Sequence, residues 1–160
     1  METTEKESGF KAFLKRKDVE FSAKRYGIDA LGAMAQGLFA SLLIGTIIET
    51  FGKQLGIDIL IQIAAYAKGA TGPAMAVAIG YALKCPPLVL FSLITVGSAA
   101  NTLGGAGGPL AVFVVAVVAA EIGKIVSKET KIDIIVTPLV TIIVGVLVAM
   151  ACAPAIGAAA

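Results

Sequence analysis

The chain has 160 residues, of which 58% are hydrophobic and 15% charged, and its mean hydropathy is +0.92. Soluble domains carry about a quarter charged residues, so this composition excludes an ordinary water-soluble globule and a disordered chain. A net charge of +2 and the absence of histidine argue against a nucleic-acid partner and against His-based catalytic or metal sites. We expect an integral membrane protein with no catalytic residue, no metal and no cofactor.

The first 29 residues hold 13 of the 24 charges and are predicted to form a basic cytoplasmic tail, 1–29. Phe10, Phe13 and Leu14 have helical spacing and lie among lysines. This pattern predicts a short basic amphipathic helix on an anionic membrane surface, and a solvated tail is the alternative. The region lacks the apolar core of a signal peptide. Tyr26 comes just before the first span, where aromatic rings prefer the membrane interface.

Residues 30–160 are predicted to form the transmembrane domain, because long uncharged stretches follow one another. A crossing needs about 20 apolar residues. Residues 30–51 and 132–153 each provide one crossing. The uncharged stretch 85–120 is too long for one helix and provides two, 86–100 and 109–125, with Pro109 in the first turn of the second.

Residues 57–84 are interrupted by Gly69, Gly72 and Pro73, which follow Lys68. Two interpretations are open: an interfacial helix followed by a span, or one broken or strongly tilted span. Either contributes one crossing, so the prediction is an all-α protein with about five transmembrane helices. Such a unit is typical of one repeat of an inverted-repeat transporter fold.

The lysines and arginines predict the orientation. With the N-terminus inside, 11 of the 13 bases fall on the cytoplasmic side, and only Lys53 and Lys68 do not. Cytoplasmic segments near membrane helices collect Lys and Arg. The N-terminus is therefore predicted to be cytoplasmic and the C-terminus outside.

Two ladders of small residues predict close helix contacts. They recur every four residues in the first and fifth spans, at Ala33, Gly37, Ser41 and Gly45, and at Thr137, Thr141, Gly145, Ala149 and Ala153. Small residues let helix backbones approach in lipid. Packing within one chain is the favoured interpretation, and a dimer face is the alternative.

The glycine-rich segment 101–109 is the first candidate for substrate binding. Irregular backbone in a membrane protein is tolerated where it is buried or lines a cavity, so we predict a non-helical break there. A plain tight loop is the alternative. The candidate residues in this segment are Asn101, Gly104, Gly105, Gly107 and Gly108.

Charged residues within the apolar stretches are the other candidates for substrate binding, because such charges are costly in a membrane. Glu49 either has a site role or pairs with Lys53 at i+4. Lys68 either faces a polar cavity beside the helix break or extends to the interface. Glu121 either has a site role or forms a surface ion pair with Lys124 at i+3.

Three segments of the chain resemble a known family. They are KRYGIDALGAMAQGLFASLLIGTIIETFG at 24–52, IGYALKCPPLVLFSLITVG at 79–97 and GGPLAVFVVAVVAAEIGKIVSKETKIDIIVTPLVTIIVG at 107–145. They are similar to the IIC membrane subunits of the bacterial sugar phosphotransferase system, in the branch that includes perfringolysin-regulator-type proteins.

The resemblance implies a multi-pass sugar-translocating subunit in the bacterial cell membrane, coupled to a cytoplasmic IIB-type phosphocarrier. Members of the branch are about twice as long, so the chain corresponds to an N-terminal half. No catalytic residue is carried over, and whether the chain counts as part of an enzyme is left open. A homodimer is the expected assembly. The alternatives are a membrane regulator or sensor of the same fold, and a small homo-oligomeric channel or carrier.

Overall fold

The computed structural model describes residues 24–159, together with residues 9, 12, 13, 16 and 17. Within these residues the regular structure is entirely helical, which confirms the predicted all-α class. The predicted amphipathic helix depends on Phe10, Lys11, Leu14 and Lys15, which lie outside the described residues. The six helices are α1 Arg25–Leu55, α2 Asp58–Gly69, α3 Thr71–Ala82, α4 Pro87–Gly104, α5 Gly108–Val126 and α6 Asp133–Ala159.

Three helical segments of the described chain are long and apolar enough to cross a membrane: Arg25–Leu55, Pro87–Val126 and Asp133–Ala158. The first is continuous but contains two π-helical stretches, Arg25–Ala30 and Phe39–Leu43. The second contains both α4 and α5. Nothing in the sequence pattern indicated the wider turns in α1.

Helices α2 and α3 together return along α1. Gly56 ends α1 in the left-handed conformation, with φ of 68°, where glycine is the preferred residue. Gly52 then contacts Ile61, and Gly37 contacts Ala74 and Met75. Because α2 packs on the second half of α1 and α3 on its first half, residues 58–82 form one antiparallel pass broken at Ala70. This arrangement favours the broken span over the interfacial helix.

Helices α4 and α5 form a hairpin whose turn is shorter than predicted. Only Gly105–Gly107 leave the α-helix, as one 3₁₀ turn, and Gly105 has φ of 54°. The prediction that the whole of 101–109 is non-helical was wrong. Helix α4 continues to Gly104 because that glycine, without a Cβ, packs closely against Ala111 of the returning helix. Pro109 lies in the first turn of α5, as predicted.

Helix α6 runs beyond the predicted end at 153 and includes both Pro138 and Pro154. Prolines are tolerated in membrane helices because neighbouring groups satisfy the freed carbonyls. The extension brings Gly157 against the backbone of Gly104. The last turns of α6 therefore cover the end of α4.

The chain runs up and down, so the bundle has two ends. The proximal end contains the start of α1, the α3–α4 connection and the α5–α6 loop. The distal end contains the α1–α2 turn, the α4–α5 turn and the end of α6. Helix α4 packs against α3, α5 and α6, and the side chains of Met75, Ile79, Leu93, Val96 and Val115 fill the buried core.

Both predicted ladders are packing surfaces within the chain. All five residues of the α6 ladder are buried, and Gly145 lies against Val96 of α4 and Ala119 of α5. In α1, Gly37, Ser41 and Gly45 are buried, whereas Ala33 is only partly so. The interpretation of packing within one chain is confirmed for these residues.

Two glycines of α1 provide a matched test of close packing. A Cβ at Gly37 would lie 2.6 Å from the carbonyl oxygen of Ala74, whereas one at Gly32 would meet nothing within 4 Å. We expect Gly37→Ala to lower the free energy of unfolding by about 1–3 kcal/mol, because the clash is with backbone. Gly32→Ala should stabilise the helix by up to about 1 kcal/mol. Unfolding in mixed micelles measures both, and equal effects would contradict the packing.

Candidate functional site

The structure distributes the predicted site residues over two ends of the bundle. Glu49, Lys68, Asn101 and the glycines lie in the distal half, whereas Glu121 lies near the proximal end. Within the described part of the chain, no three His, Cys, Asp or Glu residues come together as a metal-binding group. The candidates therefore form two groups, one in each half of the bundle.

Glu49 binds two lysines and thereby connects α1 to α2. Its Oε1 is 2.7 Å from Nζ of Lys53, the predicted i+4 partner, and its Oε2 is 2.5 Å from Nζ of Lys68. The Lys68 side chain lies across Gly45, where a Cβ would come within 2.7 Å of its Cγ. The pair with Lys68 was missed because the residues are 19 apart in the chain and only tertiary folding brings them together.

The interruption between α2 and α3 lies directly beside this pair. The Thr71 hydroxyl donates to the carbonyl oxygen of Lys68 at 2.7 Å and closes the end of α2. One residue later, Gly72 packs against Asn101 and the backbone of Gly97. The glutamate–lysine pair and Asn101 therefore flank the same helix interruption.

Asn101 is helical and half-buried, and it contacts two neighbouring helices. Besides Gly72 of α3, it lies against Gly108 at the start of α5, where a methyl group would overlap the asparagine side chain. Gly104 and Gly107 are buried, whereas Gly105 is exposed. These contacts explain Gly104 and Gly108 as close-packing positions around the hairpin turn, whereas Gly105 has open space around it.

Glu121 belongs to a buried polar cluster near the proximal end. The Tyr26 hydroxyl donates to Oε2 of Glu121 at 3.1 Å. Nζ of Lys124 lies 3.0 Å from Oε1 of Glu121. This Oε1 accepts no aligned hydrogen bond from the described residues. Nζ of Lys124 also donates to the carbonyl oxygen of Leu83 at 2.7 Å. The ion pair with Lys124 is confirmed, but its predicted surface position was wrong.

The burial of this pair has a physical reason. Lys124 is 2% exposed and Glu121 7%, since the start of α1 and the end of α3 close over the last turns of α5. Each charge is then compensated by a partner in the same cluster, as a buried charge requires. Tyr26, predicted as an interfacial aromatic residue, is part of this cluster instead of anchoring freely at the surface.

A cleft of about 600 Å³ opens at the proximal end, and sequence analysis did not identify it as a site. We call it the basic cleft. Its lining contains five bases and one carboxylate: Arg16, Lys17, Lys84, Pro86, Lys124, Ser127, Lys128 and Glu129. The unequal distribution of bases along the chain was the signal available in the sequence, but it did not show that these residues converge.

Two lysines of the basic cleft occupy backbone positions that normally favour glycine. Lys84 has φ of 61° and follows α3, with hydrogen bonds from its own N–H to Tyr81 and from Cys85 N–H to Gly80. These are the two bonds of a Schellman motif, which usually has glycine at this position. The left-handed backbone costs a non-glycine residue about 1–2 kcal/mol.

Lys128 also has a left-handed backbone, in a reverse turn after α5. Ser127 has φ of −61° and ψ of 131°, Lys128 has φ of 63°, and the Glu129 N–H donates to the Val126 carbonyl oxygen at 3.3 Å. This is a type II turn, whose third residue is most often glycine. The Lys128 N–H itself donates to Oδ1 of Asp133 at 2.7 Å.

The N-terminal segment contributes two further bases to the basic cleft. Nζ of Lys17 donates to the Ser127 carbonyl oxygen at 2.5 Å and forms an ion pair with Glu129, while Arg16 lies 3.7 Å from the same carboxylate. The hydrogen bond from Lys17 lowers the pKa of Glu129 below its usual value. Glu129 therefore remains ionised at neutral pH and attaches the segment to the α5–α6 loop.

The comparison with protein families identifies the class of the chain. Residues 28–160 match the family described as Phosphotransferase system, EIIC. The chain therefore belongs to this family, and its apolar helices are those of a membrane protein. No curated protein and no solved structure matches it.

The link between α1 and α2 can be tested by double-mutant cycles at Glu49. We expect a coupling free energy of about 1 kcal/mol between Glu49→Gln and Lys68→Met, in the range measured for polar contacts between membrane helices. The coupling with Lys53→Met should be smaller, because Lys53 is 64% exposed and its pair is screened by water. Unfolding in mixed micelles gives both values, and a larger coupling to Lys53 would contradict this assignment.

Proposed function

We propose that the chain is a sugar-permease-type subunit of a phosphotransferase system, or one half of such a subunit. The observation that carries this proposal is the family match over residues 28–160. The bundle supports it, since five helical passes with one broken helix are typical building blocks of secondary transporters. Its cargo is a sugar or another small polar molecule, and a cytoplasmic IIB-type phosphocarrier is the partner that the family implies.

The proposed substrate-facing region is the α2–α3 interruption. Glu49, Lys68 and Asn101 flank it, and the chain there leaves regular helix in the middle of a pass. Broken helices in transporters expose backbone groups that bind polar cargo. Gly104, Gly105, Gly107 and Gly108 border this region through Asn101 and the α4–α5 turn. Glu121 would act separately, at the proximal exit of the path.

A second unit is needed to complete such a path. The side chains in the middle of the bundle are tightly packed, with Met75, Val96 and Val115 fully buried. Helices at ordinary packing distances leave no ligand-sized void among themselves. We propose that the interruption faces another five-helix unit, either an inverted half or a second copy in a parallel homodimer.

The proposed topology has five crossings, with the proximal end in the cytoplasm and the C-terminus outside the bacterial inner membrane. Most described bases lie at the proximal end, and the distal half has only Lys53 and Lys68. This asymmetry follows the rule that cytoplasmic segments collect Lys and Arg. The basic cleft would then open to the cytoplasm.

Transport is tested with purified protein in proteoliposomes that are loaded with radiolabelled hexoses and hexitols for exchange. We expect Lys68→Gln and Asn101→Ala to lower the exchange rate about tenfold or more, because each removes a polar group from the proposed path. Lys53→Gln is the matched control, since it removes the exposed partner of the same glutamate, and it should keep most of the activity.

The control for folding is the unfolding transition of each variant in the same micelles. Sugar binding without exchange in the unmodified protein would favour the regulatory or sensor alternative. If neither Lys68→Gln nor Asn101→Ala changes the exchange rate, the proposed path is contradicted, but the proposed transport function is not.

Topology is tested by cysteine labelling in intact cells, with Cys85 and Cys152 replaced by serine. The variants are Thr130→Cys, in the exposed α5–α6 loop, and Gln54→Cys, at the exposed distal end of α1. A membrane-impermeant maleimide should label Gln54→Cys in intact cells and Thr130→Cys only after the membrane is opened. The reverse pattern would overturn the orientation.

A further inference from the structure

We propose that the basic cleft binds a phosphate group, held mainly by Lys84 and Lys128 and assisted by Arg16 and Lys17. The ligand is either a free phosphate compound or the headgroup of an anionic lipid. The inference does not rest on transport, because it concerns the proximal end of the bundle and the proposed substrate-facing region, the α2–α3 interruption, lies in the distal half.

The bases of the basic cleft come from three separate parts of the chain. Arg16 and Lys17 precede α1, Lys84 lies between α3 and α4, and Lys124 and Lys128 come from the end of α5 and its loop. Tertiary structure therefore brings together like charges, which repel one another at short distance. Such convergence of Lys and Arg around one cavity is the arrangement that multiply charged anions bind.

The carboxylates near the cleft already have other partners. Glu129 is paired with Lys17 and Arg16, and Glu121, which is buried behind the cleft, is paired with Lys124. Among the described residues no carboxylate forms an ion pair with Lys84 or Lys128. Oδ1 of Asp133 accepts the backbone N–H of Lys128 and the hydroxyl of Thr137, and its charge is also attracted to those of Lys128 and Lys17. With five bases and one carboxylate in its lining, the cleft retains an excess of positive charge.

The backbone provides a second and independent observation. The positive-inside rule accounts for lysines near this end of a membrane bundle, but not for lysine at left-handed turn positions. Both Lys84 and Lys128 occupy such positions, where glycine would fold with less strain. Strained residues of this kind are concentrated at binding sites. Two of them lining one cleft point to a ligand that uses their side chains.

The dimensions of the cleft suit a small phosphate ester. Its volume of about 600 Å³ lies within the range of small-molecule sites, which is roughly 300–1,000 Å³. The buried Ser127 adds a hydroxyl to the lining, and hydroxyls donate hydrogen bonds to phosphate oxygens. The cleft is also at one end of the bundle, where a lipid headgroup can reach it.

The test uses the full chain in nanodiscs of phosphatidylcholine and measures its Tm with inorganic phosphate or with chloride at equal ionic strength. We expect phosphate to raise the Tm of the unmodified protein. Lys84→Gly and Lys128→Gly should each weaken the apparent affinity about tenfold, and the double variant should lose the response. Glycine adopts the left-handed backbone with less strain than lysine, so neither substitution should lower the Tm of the protein without phosphate. Lys53→Gly, at the distal end, is the control and should keep the response.

A second arm distinguishes a lipid headgroup from a free phosphate compound. Nanodiscs that contain phosphatidylglycerol should raise the Tm without added phosphate if the cleft takes a lipid, and the double glycine variant should abolish this rise. A response to phosphate in phosphatidylcholine alone identifies a free ligand. If neither phosphate nor phosphatidylglycerol changes the Tm, or if the double variant responds like the unmodified protein, the proposal is overturned.

Discussion

The close approach of helix backbones at glycine is the constraint on which the bundle depends. Lipid is as apolar as a leucine side chain, so membrane helices gain little by hiding apolar surface from water and must gain from tight packing. Gly72 and Gly97 pack backbone against backbone, and a Cβ at Gly72 would lie 2.5 Å from the Gly97 carbonyl oxygen. Gly37 likewise packs against the backbone of α3, and Gly145 of α6 makes room for the Val96 side chain of α4. Small residues thus determine which helices are neighbours.

The hydroxyl groups of the helices form hydrogen bonds that leave the close helix packing undisturbed. Hydroxyls in the helices bond to their own backbone, as Ser41 does with the carbonyl of Gly37 and Thr141 with that of Thr137. Within residues 24–159, the charged groups lie near the ends of the membrane passes, with the exception of the Glu49–Lys68 pair beside the broken pass. A helix interruption needs partners for its free backbone groups, and this pair lies where the interruption occurs.

Local sequence pattern was sufficient to predict much of the fold. The positions of the helices follow from uncharged stretches, and the ladder in α6 follows from a four-residue repeat of small side chains, because both signals are contained within one helix. The extension of α4 to Gly104 was not predictable in that way. Glycine normally weakens a helix, and here it is kept because Ala111 of α5 packs against it, which is a contact between helices.

At the candidate sites too, contacts within one helix were predictable from the sequence, whereas contacts between helices were not. The i+4 pair of Glu49 with Lys53 and the i+3 pair of Glu121 with Lys124 were predicted from spacing. The partner from α2 and the burial of Lys124 depend on how helices meet, and no spacing rule contains that information. The left-handed lysines are the extreme case, since sequence patterns assign glycine to such positions and would not select Lys84 or Lys128.

Close contacts at small residues also bear on where function can reside. Alanine, glycine and serine at the contacts let the helices pack closely, and the core residues of α3, α4 and α5 are fully buried. The two proposed binding regions both lie where this packing is interrupted, at the broken pass and at the proximal end. The distal interruption offers one carboxylate with two lysines, whereas the proximal cleft offers an excess of bases. The two regions therefore differ in charge, and most of the excess positive charge lies at the proximal end.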